Sequence, residues 1–154
     1  MIRTKEDLRR YMEADKRMLE RGGVRPGHVD YVWKFERLLR RSEYWHNRPK
    51  TPLTVFWGKF LSLRLARMEA RLGFSIPLNV FDSGLSIAHV GPIVVSPYAR
   101  IGRNCRIHVG VNIGTRAGVP DEAPTIGDDV YIGPGAKLFG RIKVADRIAV
   151  GANA

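Results

Sequence analysis

Aliphatic side chains recur at every sixth residue through the second half of the chain. Val95, Ile101, Ile107 and Ile113 keep the beat, and after a longer gap Ile126, Ile132, Leu138, Val144 and Val150 resume it. The next position is often glycine (Gly102, Gly114, Gly127, Gly133, Gly151). The fifth place of each hexad is small or aliphatic: Ala99, Cys105, Val111, Val130, Ala136, Ile142, Ile148 and Ala154. A period of six fits neither an α-helix nor an ordinary alternating strand. It is the signature of hexapeptide coils wound into a parallel β-helix. Each hexad supplies a short strand and a turn, with its first and fifth side chains inward. One coil cannot bury its apolar side alone, so coils must stack. The repeat glycines are expected to supply positive-φ turns that a β-carbon opposes.

The chain of 154 residues is one domain or little more. Its charge is lopsided, with 26 Lys and Arg against 15 Asp and Glu, a net +11. Such a balance suits nucleic acid, a membrane surface or an anionic small molecule. Arginines decorate the first half (Arg9, Arg10, Arg17, Arg37, Arg40, Arg41, Arg64, Arg67, Arg71), but no nucleic-acid-binding motif accompanies them. They read as a solvated outer face, with neither nucleic acid nor membrane as partner. The single cysteine, Cys105, excludes an internal disulfide and sits at a fifth hexad place, as a small buried side chain would. The first ten residues are charged, and no apolar run is long enough to cross a bilayer. A cytoplasmic location is expected.

The predicted class is α+β: a helical region over residues 1–73, then the hexapeptide-repeat coil over 74–154. Thr4-Lys5-Glu6-Asp7 reads as a capping box opening a first helix that ends at Gly22-Gly23. A second helix is expected from Val29 to Trp45. A third runs from Leu53 to Leu72, with Gly73 as its stop. Six residues back from Val95 stands His89, where the repeat asks for an inward or edge aliphatic residue. A rule broken inside a regular array marks a functional candidate, and a hydrogen-bonded structural histidine is the alternative. His108 lies nineteen residues further on, about one coil, so both are expected near one cleft. His28 and His46 read as surface or capping residues. Ile113 and Ile126 are thirteen apart, so Thr115 to Thr125 should leave the coil as a loop. In solenoids such insertions often mark the binding face.

The segments GLSIAHVGPIVV (84–95), ARIGRNCRIHVGVNIGT (99–115), APTIGDDVYIGPGAKLFG (123–140) and IAVGANA (148–154) resemble the serine acetyltransferase family of hexapeptide-repeat acyltransferases. The resemblance covers about Phe74 to Ala154. It implies a left-handed winding, a homotrimer or dimer of trimers, acetyl-CoA in the cleft between two columns, and no metal. It implies acetyl transfer to a hydroxyl, that of L-serine in the family, a step towards cysteine. His89 matches the family's general base, and a histidine titrating near neutrality suits that task. A backbone amide would stabilise the oxyanion. Gly114, Thr115, Gly133, Pro134, Gly135 and Ala136 match stretches that line the coenzyme's arm. Lys137 and Arg116 are candidates for its phosphates, and His108 is the rival base.

The departures from the family bear on the acceptor. The orienting aspartate, fifteen residues before the histidine, is Phe74 here, and Asp82 is the nearest upstream carboxylate that could substitute. The carboxylate directly before the histidine is Ala88. The Arg-His pair of the long loop is Glu122-Ala123. The groups that would hold serine's ammonium and carboxylate are thus largely missing, which should cost discrimination between acceptors. The alternatives are a sugar O-acetyltransferase acting on a surface polysaccharide and a non-catalytic trimeric scaffold. The sequence stops within the repeat, which reads as a truncated, uncapped coil, weakly active or prone to associate.

Overall fold

A computed structural model describes residues 1–119 and 121–154. Among the described residues three helices come first: α1 (Lys5–Met18), α2 (Tyr31–His46) and α3 (Pro52–Leu72). Each starts where a side chain takes up free first-turn amides. Thr4 and Asp7 form a reciprocal box on α1, and Asp30 accepts from the Trp33 amide on α2. Thr51 and Thr54 box α3, with Pro52 in the first turn, where a missing N–H is harmless. α1 stops well short of Gly22-Gly23: Leu19 caps it and Glu20 turns left-handed (φ 56°). Gly73, also left-handed (φ 78°), closes α3.

Short strands follow: β1 (Phe74–Ser75), β2 (Ser86–Ile87), β3 (Ile93–Val95), β4 (Arg100–Ile101), β5 (Arg106–Ile107), β6 (Asn112–Gly114), β7 (Thr125–Ile126), β8 (Tyr131–Ile132), β9 (Lys137–Phe139), β10 (Lys143–Val144) and β11 (Ala149–Val150). They form three parallel sheets that the chain visits in rotation. The first wall is β1-β3-β6-β9, the second β4-β7-β10 and the third β2-β5-β8-β11. Phe81 bridges Ile101 and extends the second wall into the first coil. Ile126 pairs Val144 and Ile132 pairs Val150, three hexads later in each case. Ile87, Ile93, Ile107, Ile113 and Ile132 fill the interior with Ala99, Cys105, Val111, Val130 and Ala136. Each large aliphatic so buried contributes about 1.5–3 kcal/mol. Burial pushes the Cys105 thiol up to about 12, which keeps it an apolar filler.

The repeat glycines serve a purpose other than the expected one. Gly102, Gly127 and Gly133 do not take positive φ. A β-carbon on Gly102 would meet the Gly127 carbonyl oxygen at 2.6 Å, and one on Gly127 the Asp146 amide at 2.8 Å. They are small because adjacent coils approach closely there. Between the second and third walls the left-handed positions fall instead on Gly84, Asn104, Asp129 and Arg147.

A buried polar network joins the helices to the first coil. Arg40, fully enclosed, donates to Asp15 (2.7 Å), Glu43 (3.0 Å) and the carbonyls of Phe81 (2.9 Å) and Asp82 (2.6 Å). Asp15 accepts from the amides of Gly84 and Leu85, and Glu43 from that of Asn79. Glu36 accepts from the Ile87 amide (3.0 Å). Glu69 is tied to the Ile76 amide. The carboxylates of α2 and α3 therefore face inward, and the charged groups left exposed on these helices are cations.

Candidate active site

The turns joining the third wall to the first stack along one edge. Residues 88–92 carry His89, 108–111 carry His108, and 133–136 carry Gly133 to Ala136. The Gly110 amide donates to the Pro92 carbonyl (2.6 Å), Gly135 to Val109 (2.9 Å) and Asn153 to Pro134 (2.8 Å). Gly110 and Gly135 both need positive φ (80° and 75°), and a β-carbon on Gly110 would approach the Gly135 backbone at 3.2 Å. Counting hexads back from Val95 puts His89 at an inward or edge place, and the register decides against the inward one. Ile87 pairs Ile107 and takes the interior. The interval from Ile87 to Val95 is eight residues, two more than a hexad. The surplus widens the turn, and His89 stands exposed on it.

The His89 and His108 rings lie 6.0 Å apart, and Tyr131 flanks His108 at 5.0 Å. Partial burial, then the charges of Arg106 and His89, hold His108 below the usual histidine range and favour its neutral form. Its Nε2 is enclosed with no hydrogen-bond partner among the described residues. His89 opens on a cleft of about 360 Å³ whose other walls are Arg21, Val29, Asp30, Tyr31, Val32, Ala88 and Val90. Arg21 pairs with Asp30 there at 3.0 Å. The repeat gives no hint of these helical residues. The one sequence signal for them is Asp30, an acidic residue in the right place to cap a helix.

Asp82 is not brought to His89. It lies in the turn after Phe81, between the second and third walls, a different corner of the column. Its carboxylate accepts from the Ser83 amide; burial pushes its pKa up, but the nearby Tyr11 hydroxyl and the Ser83 amide outweigh this and hold it below the usual range. It lines a separate cleft with Met1 and Arg100. Phe74 is locked into the core, edge-on to Phe35 at 4.9 Å.

The residues matched to the coenzyme's arm form two groups. Gly133, Pro134, Gly135 and Ala136 lie on the histidine edge, and Lys137, which starts β9, donates to the Gly110 carbonyl. Gly114 and Thr115 lie at the far side of the first wall. There Gly114 sits opposite Phe139, whose ring would obstruct a β-carbon at 2.3 Å. The outer face of that wall spans the two groups. The loop after Thr115 folds on itself, with Arg116 bridged to Val119; Pro120, within the predicted insertion, lies outside the described residues. Arg116 pairs with Glu122 at 3.6 Å and Arg141 with the same carboxylate at 3.8 Å. No cluster of three or more His, Cys, Asp or Glu suited to a metal ion occurs among the described residues.

A larger cleft of about 930 Å³ adjoins that of His89, sharing Tyr31 and Val90 with it. It lies between α2 and α3. Its floor is Leu38, Leu61, Met68 and Leu72, and its walls carry Lys34, Arg37, Arg41, Arg64, Arg67 and Arg71.

No protein-family model matches the chain. The serine acetyltransferase of Mycobacterium tuberculosis is 37% identical over 79 residues, 51% of this chain and 34% of that relative. The soybean serine acetyltransferase apoenzyme is 27% identical, with a TM-score of 0.70 over 97% of this chain and 61% of that one. A serine acetyltransferase in complex with CoA has the same fold, with a TM-score of 0.71 at 19% identity over 97% of this chain and 62% of that one. The chain therefore spans about a third of the curated relative and about three fifths of the solved ones.

Proposed function

We propose that this chain, a relative of the serine acetyltransferases in sequence and in fold, is an acetyl-CoA-dependent O-acetyltransferase with His89 as its general base. The observation that carries the reading is an exposed imidazole on the edge where the candidate coenzyme turns stack, opening on its own cleft. In the reaction, His89 takes the acceptor's hydroxyl proton as the oxygen attacks the thioester carbonyl. A backbone amide of the edge holds the oxyanion that forms. Collapse expels the coenzyme thiolate, and the proton passes from His89 to the sulfur. Gly133 to Ala136 let the pantetheine lie close to the backbone. Lys137 stands beside them, whereas Arg116 is already engaged by Glu122. The column is read as winding left-handed and assembling as a trimer or dimer of trimers, with the donor between columns. A cytoplasmic location goes with this reading.

The acceptor is L-serine by family likeness. A sugar hydroxyl is the second reading, and a specific observation favours it. Ala88 and the buried Ala123 offer no charge to an amino acid, and Glu122 is held between Arg116 and Arg141. Thiol release from acetyl-CoA, measured against L-serine and a panel of sugars, identifies the acceptor. His89→Ala should lower the rate by about 10²–10⁴, and a variant with the parent's rate removes His89 from the role. Absence of coenzyme binding in calorimetry would favour a non-catalytic scaffold.

A further inference from the structure

We propose that the seam between α2 and α3 docks on the surface of an anionic phospholipid bilayer. One stripe along α3 carries the argument. Leu53, Phe56 and Phe60 are 60%, 61% and 42% exposed. The same helical face runs on into Arg64, Arg67 and Arg71 at steps of three and four. At the apolar end, Trp45 stacks on Trp57 (6.0 Å) and Trp57 meets Phe60 edge-on (5.7 Å), so the rings brace one another at the surface. At the other end, the arginines line the larger cleft with Arg37 and Arg41 opposite. None of these five arginines forms an ion pair among the described residues. Composition alone reads them as a solvated face; an exposed aromatic run in line with them gives that face a second chemistry.

Charge selects the occupant. No carboxylate is exposed along α2 or α3, so a second copy packed two-fold on this face would set arginine against arginine. A nucleic-acid duplex would use the arginines and leave Leu53 and Phe56 in water. A bilayer interface satisfies both ends: lipid phosphates meet the arginines, and Phe, Trp and Leu enter the boundary between headgroups and acyl chains. No helix among the described residues is long and apolar enough to cross a membrane, so the contact is peripheral. Because the cleft shares Tyr31 and Val90 with that of His89, docking would turn the candidate site toward hydroxyls carried at the membrane. The inference does not depend on the acetyl-transfer reading.

The test is sedimentation of the chain with phosphatidylcholine vesicles, with and without phosphatidylglycerol. The protein should sediment with the anionic vesicles, much less with neutral ones, and lose binding as salt rises. Arg64→Gln/Arg67→Gln should weaken binding by about tenfold or more. Phe56→Ser/Phe60→Ser should weaken it at low salt. All four side chains are exposed, so the circular dichroism of both variants should match the parent's. Failure of the folded parent to sediment with anionic vesicles overturns the proposal, as does undiminished binding by either variant. So does a dimer that Phe56→Ser/Phe60→Ser dissociates without any vesicle binding, which would give the face to a second copy. Retention of RNA or an acidic peptide while vesicles are ignored would overturn it too.

Discussion

An imidazole accepts a proton only while neutral, and His108 is placed to stay so. Its folded pKa lies below the usual 6.5, through burial first and the nearby Arg106 and His89 second. As pH falls, the unfolded chain takes up that proton before the folded one. The stability His108 contributes is therefore full above about 6.5 and drains away as pH drops through the lowered value. Asparagine cannot titrate, so His108→Asn should lose less melting temperature than the parent between about pH 7.5 and about pH 5. Equal losses would assign the acid sensitivity elsewhere. Glu36 behaves in the opposite sense. Burial, then the charge of Asp15, raises its pKa well above the usual 4.5, so the unfolded chain ionises first as pH rises. Its contribution is full below about 4.5 and is lost as pH climbs through the raised value. Gln keeps an acceptor for the Ile87 amide without the charge, so Glu36→Gln should flatten that part of the pH profile. Glu36→Ala strands the amide and should cost about 1–3 kcal/mol. The residue matters to the candidate site because Ile87 stands two positions before His89.

Among the elements, glycines of one chemistry divide by what surrounds them. Gly58 lies inside α3 with open space where a β-carbon would go, so Gly58→Ala should stabilise by about 1 kcal/mol. Gly102→Ala drives a methyl into the Gly127 backbone of the next coil and should destabilise by about 1–3 kcal/mol. Thermal melts of the two variants separate these effects, and a neutral Gly102→Ala would mean that the coils can part there. This is also where sequence reading meets its limit. Six-residue periodicity announces the walls, because inward aliphatics such as Ile107 and Ile113 recur whatever the corners do. It cannot tell a glycine needed for φ from one needed for clearance, since both leave the same letter at the same place. Nor can it see two residues added to a turn: counting from Val95 assumes a constant hexad, and the surplus beside His89 breaks that assumption. The helix caps at Thr4 and Gly73 were legible because capping is local. The clefts were not, because Asp30 and Tyr31 reach His89 only through tertiary packing. Arg40 was similarly opaque, one arginine among many in the sequence and the centre of a buried network in the fold. Arg40→Met should cost about 3–5 kcal/mol in denaturant unfolding, since it leaves Asp15 and Glu43 enclosed without their cation.

At the scale of the whole molecule, the interior of one column is filled by side chains, Ala136 among them, so a ligand reaches the candidate site only from the outer surface, where His89, Pro134 and Lys137 are exposed. His89 has a helical wall on one side, while Pro134 and Lys137 are exposed on the same edge. A coenzyme lying along a single column would keep one flank in water. A neighbouring column would cover that flank, and a site so built borrows parts from two chains. The consequence can be measured by complementation. His89→Ala removes the proposed base. Pro134→Trp, at an exposed turn, should block the coenzyme without disturbing the core. Each variant alone should be inactive. If each site takes its base from one chain and its coenzyme turn from the next, mixed trimers assembled from equal amounts should recover about a quarter of parental activity, the fraction of sites with both parts intact. Co-expression followed by the thiol-release assay gives the reading. An inactive mixture, with trimers verified by sedimentation, would confine base and coenzyme turn to one chain and rule out the shared cleft.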